Sequence, residues 1–268
     1  MNTRTALTLS VPRQRRTLVL GHRGAPGPQR GENSVRAVEA ALERGADGVE
    51  VDVRLSSDGV LVCSHDPVVE TALGERLHVA SHTWGELHRA AARAGDRLAN
   101  LEQVLAAAGR RGPCHLVVEA KPAAGHAAAS ATVGAIHEAL RGVPTSVTVT
   151  VSSFDWRLLD LVRGSGSRVR TAVLGGTHAP AHVVLRQALD AGHQEAHLGL
   201  AALRRAPHAV RLARHLGVAV TAWTVNGLDD LRRVAEWGVD GVITDNVVLA
   251  RTALREAEAA APLQLTAC

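Results

Sequence analysis

The stretch GVEVDVRLSSDGVLVCSHD (48–66) sets Glu50 and Asp52 inside an apolar run and ends on the pair His65-Asp66. Side chains alternate along a strand, so Glu50 and Asp52 share one face while Val49, Val51 and Val53 share the other. Two neighbouring carboxylates repel. Burying them without partners costs roughly several kcal/mol, or forces one to take up a proton. A cationic group is therefore expected between them. Other polar residues stand at the ends of aliphatic runs: His22-Arg23 after TLVLG, Glu119 and Lys121 at the end of HLVVEAK, and Ser152-Ser153-Phe154-Asp155 after VTVTV. Trp223 and Asn226 close the stretch VTAWTVN, and Asp245 follows GVIT.

Glu50, Asp52 and Glu119, with no clustered thiols, form a hard oxygen-donor set for which Mg2+ or Ca2+ is expected before zinc. Arg23 offers a bidentate fork to a phosphate and Lys121 a compact point charge. Histidine is the side chain that gives and takes protons near neutral pH, which suits His22 and His65 to an acid/base pair. A metal, two cations for an anion and an acid/base pair together suit attack on a phosphodiester.

These residues need a frame that brings them together. Aliphatic runs at 17–21, 48–55, 60–64, 115–120, 146–151, 168–174, 195–200, 218–225 and 241–244 predict strands. Amphipathic stretches at 33–44, 84–94, 100–110, 126–141, 155–164, 180–191, 204–216 and 227–237 predict helices between most of them. This alternation predicts a parallel sheet with helical crossovers. Over this length it predicts an α/β chain folded as a variant (β/α)8 TIM barrel, with its site at the C-terminal strand ends. One of the nine candidate strands is surplus, and EAHLGL (195–200) reads as a loop. The turn signal SSDG (56–59) predicts a hairpin between its neighbours. Residues 67–100 predict a small excursion, carrying a helix, after the third strand. The barrel domain is expected at 17–255, between flexible tails at 1–16 and 256–268.

The composition narrows the function classes. Of 268 residues, 46% are hydrophobic, enough for a large core, yet only 2% are aromatic, so aliphatic side chains must fill it. The formal charge is +4 and the isoelectric point about 9.7, but the arginines are spread along the chain. With stacking aromatics nearly absent, nucleic-acid binding is not expected, and an anionic small molecule fits the mild positive excess better. No apolar run is long enough to span a bilayer, and the first residues lack the apolar stretch of a signal peptide. Cys63, Cys114 and Cys268 follow neither a disulfide framework nor a zinc motif, and a reducing cytoplasm is the expected setting.

The ordered series GHRGAPGPQRGENSVRAVEAALERGADGVEVDVRLSSDGVLVCSHD, LEQVL, VVEAKP, VSSFD and AWTVNGLDDLRRVAEWGVDGVITDN resembles the glycerophosphodiester phosphodiesterase family across nearly all of 18–250. The resemblance implies a variant (β/α)8 barrel that hydrolyses a glycerophosphodiester to glycerol 3-phosphate and an alcohol. It implies His22 and His65 as acid and base, Glu50, Asp52 and Glu119 as metal ligands, and Arg23 and Lys121 as phosphate holders. Trp223 would wall the alcohol pocket, while Glu32 and Asn33 support the loop after the first strand. The chain departs from the family at Glu70-Thr71, where an Arg-Thr pair is usual, and in the short segment that follows.

Competing readings stand beside this one. A barrel lysine at a strand end also suits a Schiff-base lyase, with Lys121 as the amine. A lysophospholipase D would cut the other ester bond of a related substrate. A barrel without catalysis is disfavoured because no member of the polar set is missing. HQEAH (193–197) is not the H-E-x-x-H zinc motif. Asp155 reads as the cap of the helix after it. His78, His82, His88, His126 and His137 read as surface residues.

Overall fold

A computed structural model describes residues 16–27, 30–165 and 169–260. Strand β1 (Leu18–Gly21) leads through α1 (Val35–Glu43) to β2 (Gly48–Leu55). β3 (Leu61–Cys63) folds back antiparallel on the far end of β2. A second hairpin, β4 (Val68–Glu70) and β5 (Arg76–His78), then leads into α2 (Trp84–Arg93). The path returns through α3 (Leu101–Arg110), β6 (Cys114–Ala120), α4 (Gly125–Arg141), β7 (Val147–Ser153) and α5 (Trp156–Gly164). It continues with β8 (Arg170–Leu174), α6 (Ala181–Asp190), β9 (Glu195–Gly199), α7 (Leu200–Arg205) and α8 (His208–His215). β10 (Ala219–Trp223), α9 (Leu228–Trp237), β11 (Gly241–Thr244) and α10 (Val247–Ala260) complete the described chain.

Among the described residues, β1, β2 and β6 to β11 form one parallel sheet that closes on itself. β1 pairs with β11 on one side and with β2 on the other. This is the predicted (β/α)8 barrel, and the 67–100 excursion is the β4–β5 hairpin with α2. Strand alternation separates two cores. Val49, Val51 and Val53 are fully buried in the larger one, between sheet and helices. The barrel interior holds a smaller apolar cluster of Leu20, Val117 and Ile243. β2 lies with both faces covered, so its run of valines reads as continuously apolar except where Glu50 and Asp52 turn inward.

Local chemistry starts the helices. Ser34 accepts from the Ala37 amide at the head of α1. Thr83 with Glu86, and Asn100 with Gln103, form reciprocal capping boxes on α2 and α3. Asp155 stands at the cap position of α5, but its side chain makes no capping hydrogen bond, contrary to expectation; it lies 3.5 Å from Arg157 Nε instead.

Three further expectations need correcting. EAHLGL is a barrel strand, β9, in register with both β8 and β10. The surplus strand is β3, which lies outside the barrel as the return arm of the SSDG hairpin. EAHLGL was set aside only as the surplus candidate, but Glu195 and His197 lie among polar partners from neighbouring strands. The stretch 204–216 is two short helices with Pro207 between them, since a proline lacks the amide that would continue α7. Helix α10 was not expected, and it carries the chain past position 255 to Ala260. Residues 1–15 and 261–268 of the expected tails lie outside the described residues. Among the described residues no helix is long and apolar enough to cross a membrane.

Candidate active site

Register brings the carboxylates together. Asp52 on β2 pairs directly with Glu119 on β6, and Glu50 lies one inward-facing position earlier. Oxygens of Glu50, Asp52 and Glu119 all lie within 4.8 Å of one another, and all three residues are buried. Among the described residues no side-chain cation bridges Glu50 and Asp52 as expected; two cations instead sit against Asp52. Lys121 Nζ stands 2.6 Å from Asp52 Oδ1 and 2.5 Å from Glu119 Oε1. Arg23 Nε lies 3.3 Å from Asp52 Oδ2, while its Nη1 donates to both oxygens of Glu32. Glu50 Oε2 accepts the Arg23 amide at 3.0 Å, but Glu50 Oε1 is buried with no partner.

The loop after β1 is shaped to reach these acids. Arg23 and Asn33 both take the left-handed backbone conformation, with φ of 52° and 56°. Gly24 lies between them in sequence at φ 86°, where a Cβ would stand 2.5 Å from the Ala37 carbonyl carbon. The sequence GHRGAPGPQRGEN therefore needs glycine there for the loop to pack on α1. Asn33 clasps Asp52: its Nδ2 donates to Oδ2, and its Oδ1 accepts the Asp52 amide, both at 2.9 Å.

Burial drives the charges apart in character. Glu50 is pushed well above the ordinary carboxylate range by desolvation, and then by Asp52 and Glu119. Glu119 is raised by burial despite Lys121. Burial also acts to raise Asp52, but the charge and hydrogen bond of Lys121, with Asn33 and Arg23, hold it below its usual value. The three acids are thus unequal: Asp52 is held ionised, while Glu50 and Glu119 bind a proton more readily than an ordinary carboxylate.

Two imidazoles stand at the rim, each tied to an aspartate. His22 Nδ1 lies 2.7 Å from Asp245 Oδ1, and His65 Nδ1 lies 2.9 Å from Asp66 Oδ1. Each ring therefore keeps Nε2 for the cleft. Asn226 braces the first pair, donating to Asp245 Oδ2 at 2.5 Å and accepting the Asp245 amide and the Thr244 hydroxyl. Arg54 braces the second, donating twice to the His65 carbonyl. Asn226 and Asp245 were visible only as polar strand ends, without a role. Arg54 continues the period-two spacing of Glu50 and Asp52, a signal that would have placed it on the same face.

His22, Arg23, Glu50, His65, Glu119 and Lys121 line one side of a cleft of about 230 Å³. Ser152, Phe154, Leu174, His197, Trp223 and Ile243 line the other. Every predicted site residue except Asp52 thus lines one cavity, and Asp52 lies behind it against Arg23 and Lys121. Trp223 packs edge-on against Phe154 at 5.7 Å and donates its Nε1 to the His197 carbonyl. Phe154 was visible only within the strand end after VTVTV, and His197 only within HQEAH; neither was given a role in the site. Cys63 and Cys114 are buried free thiols that do not line this cleft.

Such a set of acids, cations and imidazoles in a barrel mouth can be compared with known proteins. A profile of the glycerophosphoryl diester phosphodiesterase family matches residues 22–249. A glycerophosphodiester phosphodiesterase of Caldanaerobacter subterraneus subsp. tengcongensis is 28% identical over 240 residues, covering 86% of this chain and 95% of that protein. The crystal structure of a glycerophosphodiester phosphodiesterase from Thermotoga maritima matches with a TM-score of 0.72 at 27% identity, covering 88% of this chain and 97% of that one. The fold is shared, at 21% identity and a TM-score of 0.77, with an Oleispira antarctica phosphodiesterase whose structure is a complex with the product sn-glycerol-3-phosphate; 89% of this chain and 96% of that one are covered. The chain belongs to the glycerophosphoryl diester phosphodiesterase family.

Proposed function

We propose that this phosphodiesterase hydrolyses a glycerophosphodiester to glycerol 3-phosphate and an alcohol, with a divalent cation, Mg2+ or Ca2+, held by Glu50, Asp52 and Glu119. The observation that carries the metal is the orphaned oxygen of Glu50. It is buried, without a donor, and within reach of two more carboxylates. Three oxygen donors and no sulfur or imidazole fit a hard cation. With all three acids ionised, Arg23 and Lys121 leave one net negative charge. A divalent ion turns that into one net positive charge, the complement of a phosphodiester. When bound, such an ion polarises a phosphoryl oxygen and offsets the charge that grows on it during attack.

The side chains then divide the work. Arg23 and Lys121 orient the phosphate beside the acids. One imidazole, at Nε2, takes the proton from the attacking oxygen as the new P–O bond forms. The other gives a proton to the leaving oxygen as the old P–O bond breaks. Asp245 and Asp66 hold the two rings in the tautomer this needs and stabilise whichever ring is protonated. Trp223 and Phe154 wall the carbon skeleton of the substrate and exclude water from it.

The ion pairs of Lys121 speak against the lyase reading. An amine nucleophile is activated in an apolar pocket or beside another cation, whereas Lys121 sits between two carboxylates. The test is turnover of glycerophosphocholine and of a lysophospholipid in Mg2+, Ca2+ or chelator, with products identified. Glycerol 3-phosphate and choline, formed only with metal, are expected. Full activity in chelator overturns the metal site, and preference for the lysophospholipid overturns the substrate class.

A further inference from the structure

The reading above leaves one imidazole in the cleft without a task. His197 is central in β9, its side chain is 0% exposed, and it lines the cavity among Phe154, Leu174, Trp223 and Ile243. Its Nε2 meets Glu195 Oε2 at 3.3 Å. Its Nδ1 is buried and has no partner. A buried polar atom left unpaired costs roughly 1–3 kcal/mol. In the wall of a ligand cleft, such an atom points to a group that the ligand brings.

A network at the base of the barrel decides which group that is. Glu195 Oε1 accepts from Arg170 Nε at 2.8 Å and from Thr150 Oγ1 at 3.0 Å, and His115 Nε2 lies 2.9 Å from the same hydroxyl. Burial pushes the Glu195 carboxyl up, but its hydrogen bonds from His197 and Arg170 bring it down to about 2. Glu195 is therefore a permanent acceptor and holds the His197 proton on Nε2. With the proton on Nε2, Nδ1 is the acceptor nitrogen of the ring, which calls for a donor.

We infer that His197 is a specificity-determining residue whose Nδ1 accepts a hydrogen bond from a hydroxyl of the substrate's glycerol moiety, an inference that rests on the glycerophosphodiester reading above. Glycerol is the part that every substrate of the class carries, and its hydroxyls are donors. An ester carbonyl, an ether or a quaternary ammonium offers no such donor and would leave Nδ1 unpaired. The phosphate is held across the cleft by Arg23 and Lys121. The rings of Phe154 and Trp223 flank the space in which the carbon chain would lie, and Trp223 is fastened to the strand of His197 through that residue's carbonyl.

The test is kcat/KM for glycerophosphocholine and for analogues lacking the 1- or the 2-hydroxyl of glycerol, in wild type and in His197→Gln. Glutamine keeps an amide N–H near Nε2 for Glu195 and places no atom at Nδ1. Wild type is expected to prefer the full substrate over one analogue by about tenfold, the worth of one hydrogen bond of about 1.4 kcal/mol. His197→Gln is expected to lose that preference, whereas a merely structural role would lower both substrates alike and leave the ratio unchanged. A preference that survives in His197→Gln overturns the subsite. So does a wild type that does not distinguish the analogues, a result that needs no variant to fold. A wild type that turns over no glycerophosphodiester overturns the proposed function itself, and the subsite with it.

Discussion

Lys121 Nζ lies 2.6 Å from Asp52 Oδ1 across two neighbouring strands, and both side chains are buried. The same nitrogen lies 2.5 Å from Glu119. Lys121 is the only lysine in the chain, and every other basic side chain of the Lys/Arg class is arginine. The geometry gives a reason for the exception. A compact ammonium fits between two carboxylates at these distances, while a planar guanidinium is wider and spreads its donors in a fork. Lys121→Arg is therefore expected to fold, by circular dichroism, yet to lose at least tenfold in kcat/KM, about 1.4 kcal/mol. Recovery to more than about half of wild-type activity would mean that only the charge matters.

Glu50 makes the metal-free protein sensitive to pH. Its carboxyl is raised above the ordinary range by burial and by its acidic neighbours, so the folded state binds a proton more tightly than the unfolded chain does. Stability linked to that proton is full below the ordinary carboxylate value, about 4.3, and is lost as pH rises through the folded-state value. In chelator, Glu50→Gln is expected to melt higher than wild type at pH 8, with a smaller gap at pH 5. Added metal should reverse the order, because only the wild type offers the third carboxylate. Thermal melts at the two pH values, with and without metal, check both halves. A variant that melts much lower than wild type in chelator would make Glu50 a structural residue.

His22 and His65 are each paired through Nδ1 to a part-exposed aspartate at the rim. Replacing either by alanine leaves no large apolar cavity, so the melting temperature should stay close to that of wild type. If the rings are acid and base, each variant loses roughly 10²–10⁴ in kcat. Asp245→Asn is expected to lose less, since it disturbs the tautomer of His22 without removing the ring. Near-normal turnover by His65→Ala, with the protein folded, would remove that ring from the reaction.

Much of this was written in the spacing of residues. Glu50 and Asp52 could be placed on one inward face because strand alternation is rigid, whereas the need for glycine at position 24 shows only in its close approach to Ala37. Strand β9 was misread as the surplus candidate. Glu195 and His197 look out of place in a strand until Arg170, Thr150 and His115 are found around them, and those partners are 25, 45 and 80 or so residues away in sequence. Local pattern does not report a polar interior assembled from distant strands. Arg54 was legible by the period-two rule, but its task, holding the His65 carbonyl, depends on how the β3 hairpin folds back.

Asn33 shows how closely the loop after β1 is fitted to the acids. It is 2% exposed, takes φ 56°, and brackets Asp52 with one donor and one acceptor, both at 2.9 Å. Asparagine tolerates that backbone better than most residues, and so does aspartate. Asn33→Asp therefore keeps the shape and the acceptor for the Asp52 amide but turns the amide donor into an oxygen facing Asp52 Oδ2. Two carboxyls at that distance cannot both ionise cheaply, so the new group is raised well above the ordinary range in the folded state. Below about pH 4 it is protonated in both folded and unfolded chains and can donate to Asp52. As pH rises through its folded-state value, that stability disappears. Denaturant melts in chelator at pH 5 and pH 8 are expected to show the gap between wild type and Asn33→Asp widening with pH, to roughly 1–3 kcal/mol. Both proteins carry Glu50, so the part of its pH dependence common to the two drops out of the difference. A gap independent of pH would mean that the amide of Asn33 does not face Asp52, and that the loop after β1 is held by its backbone alone.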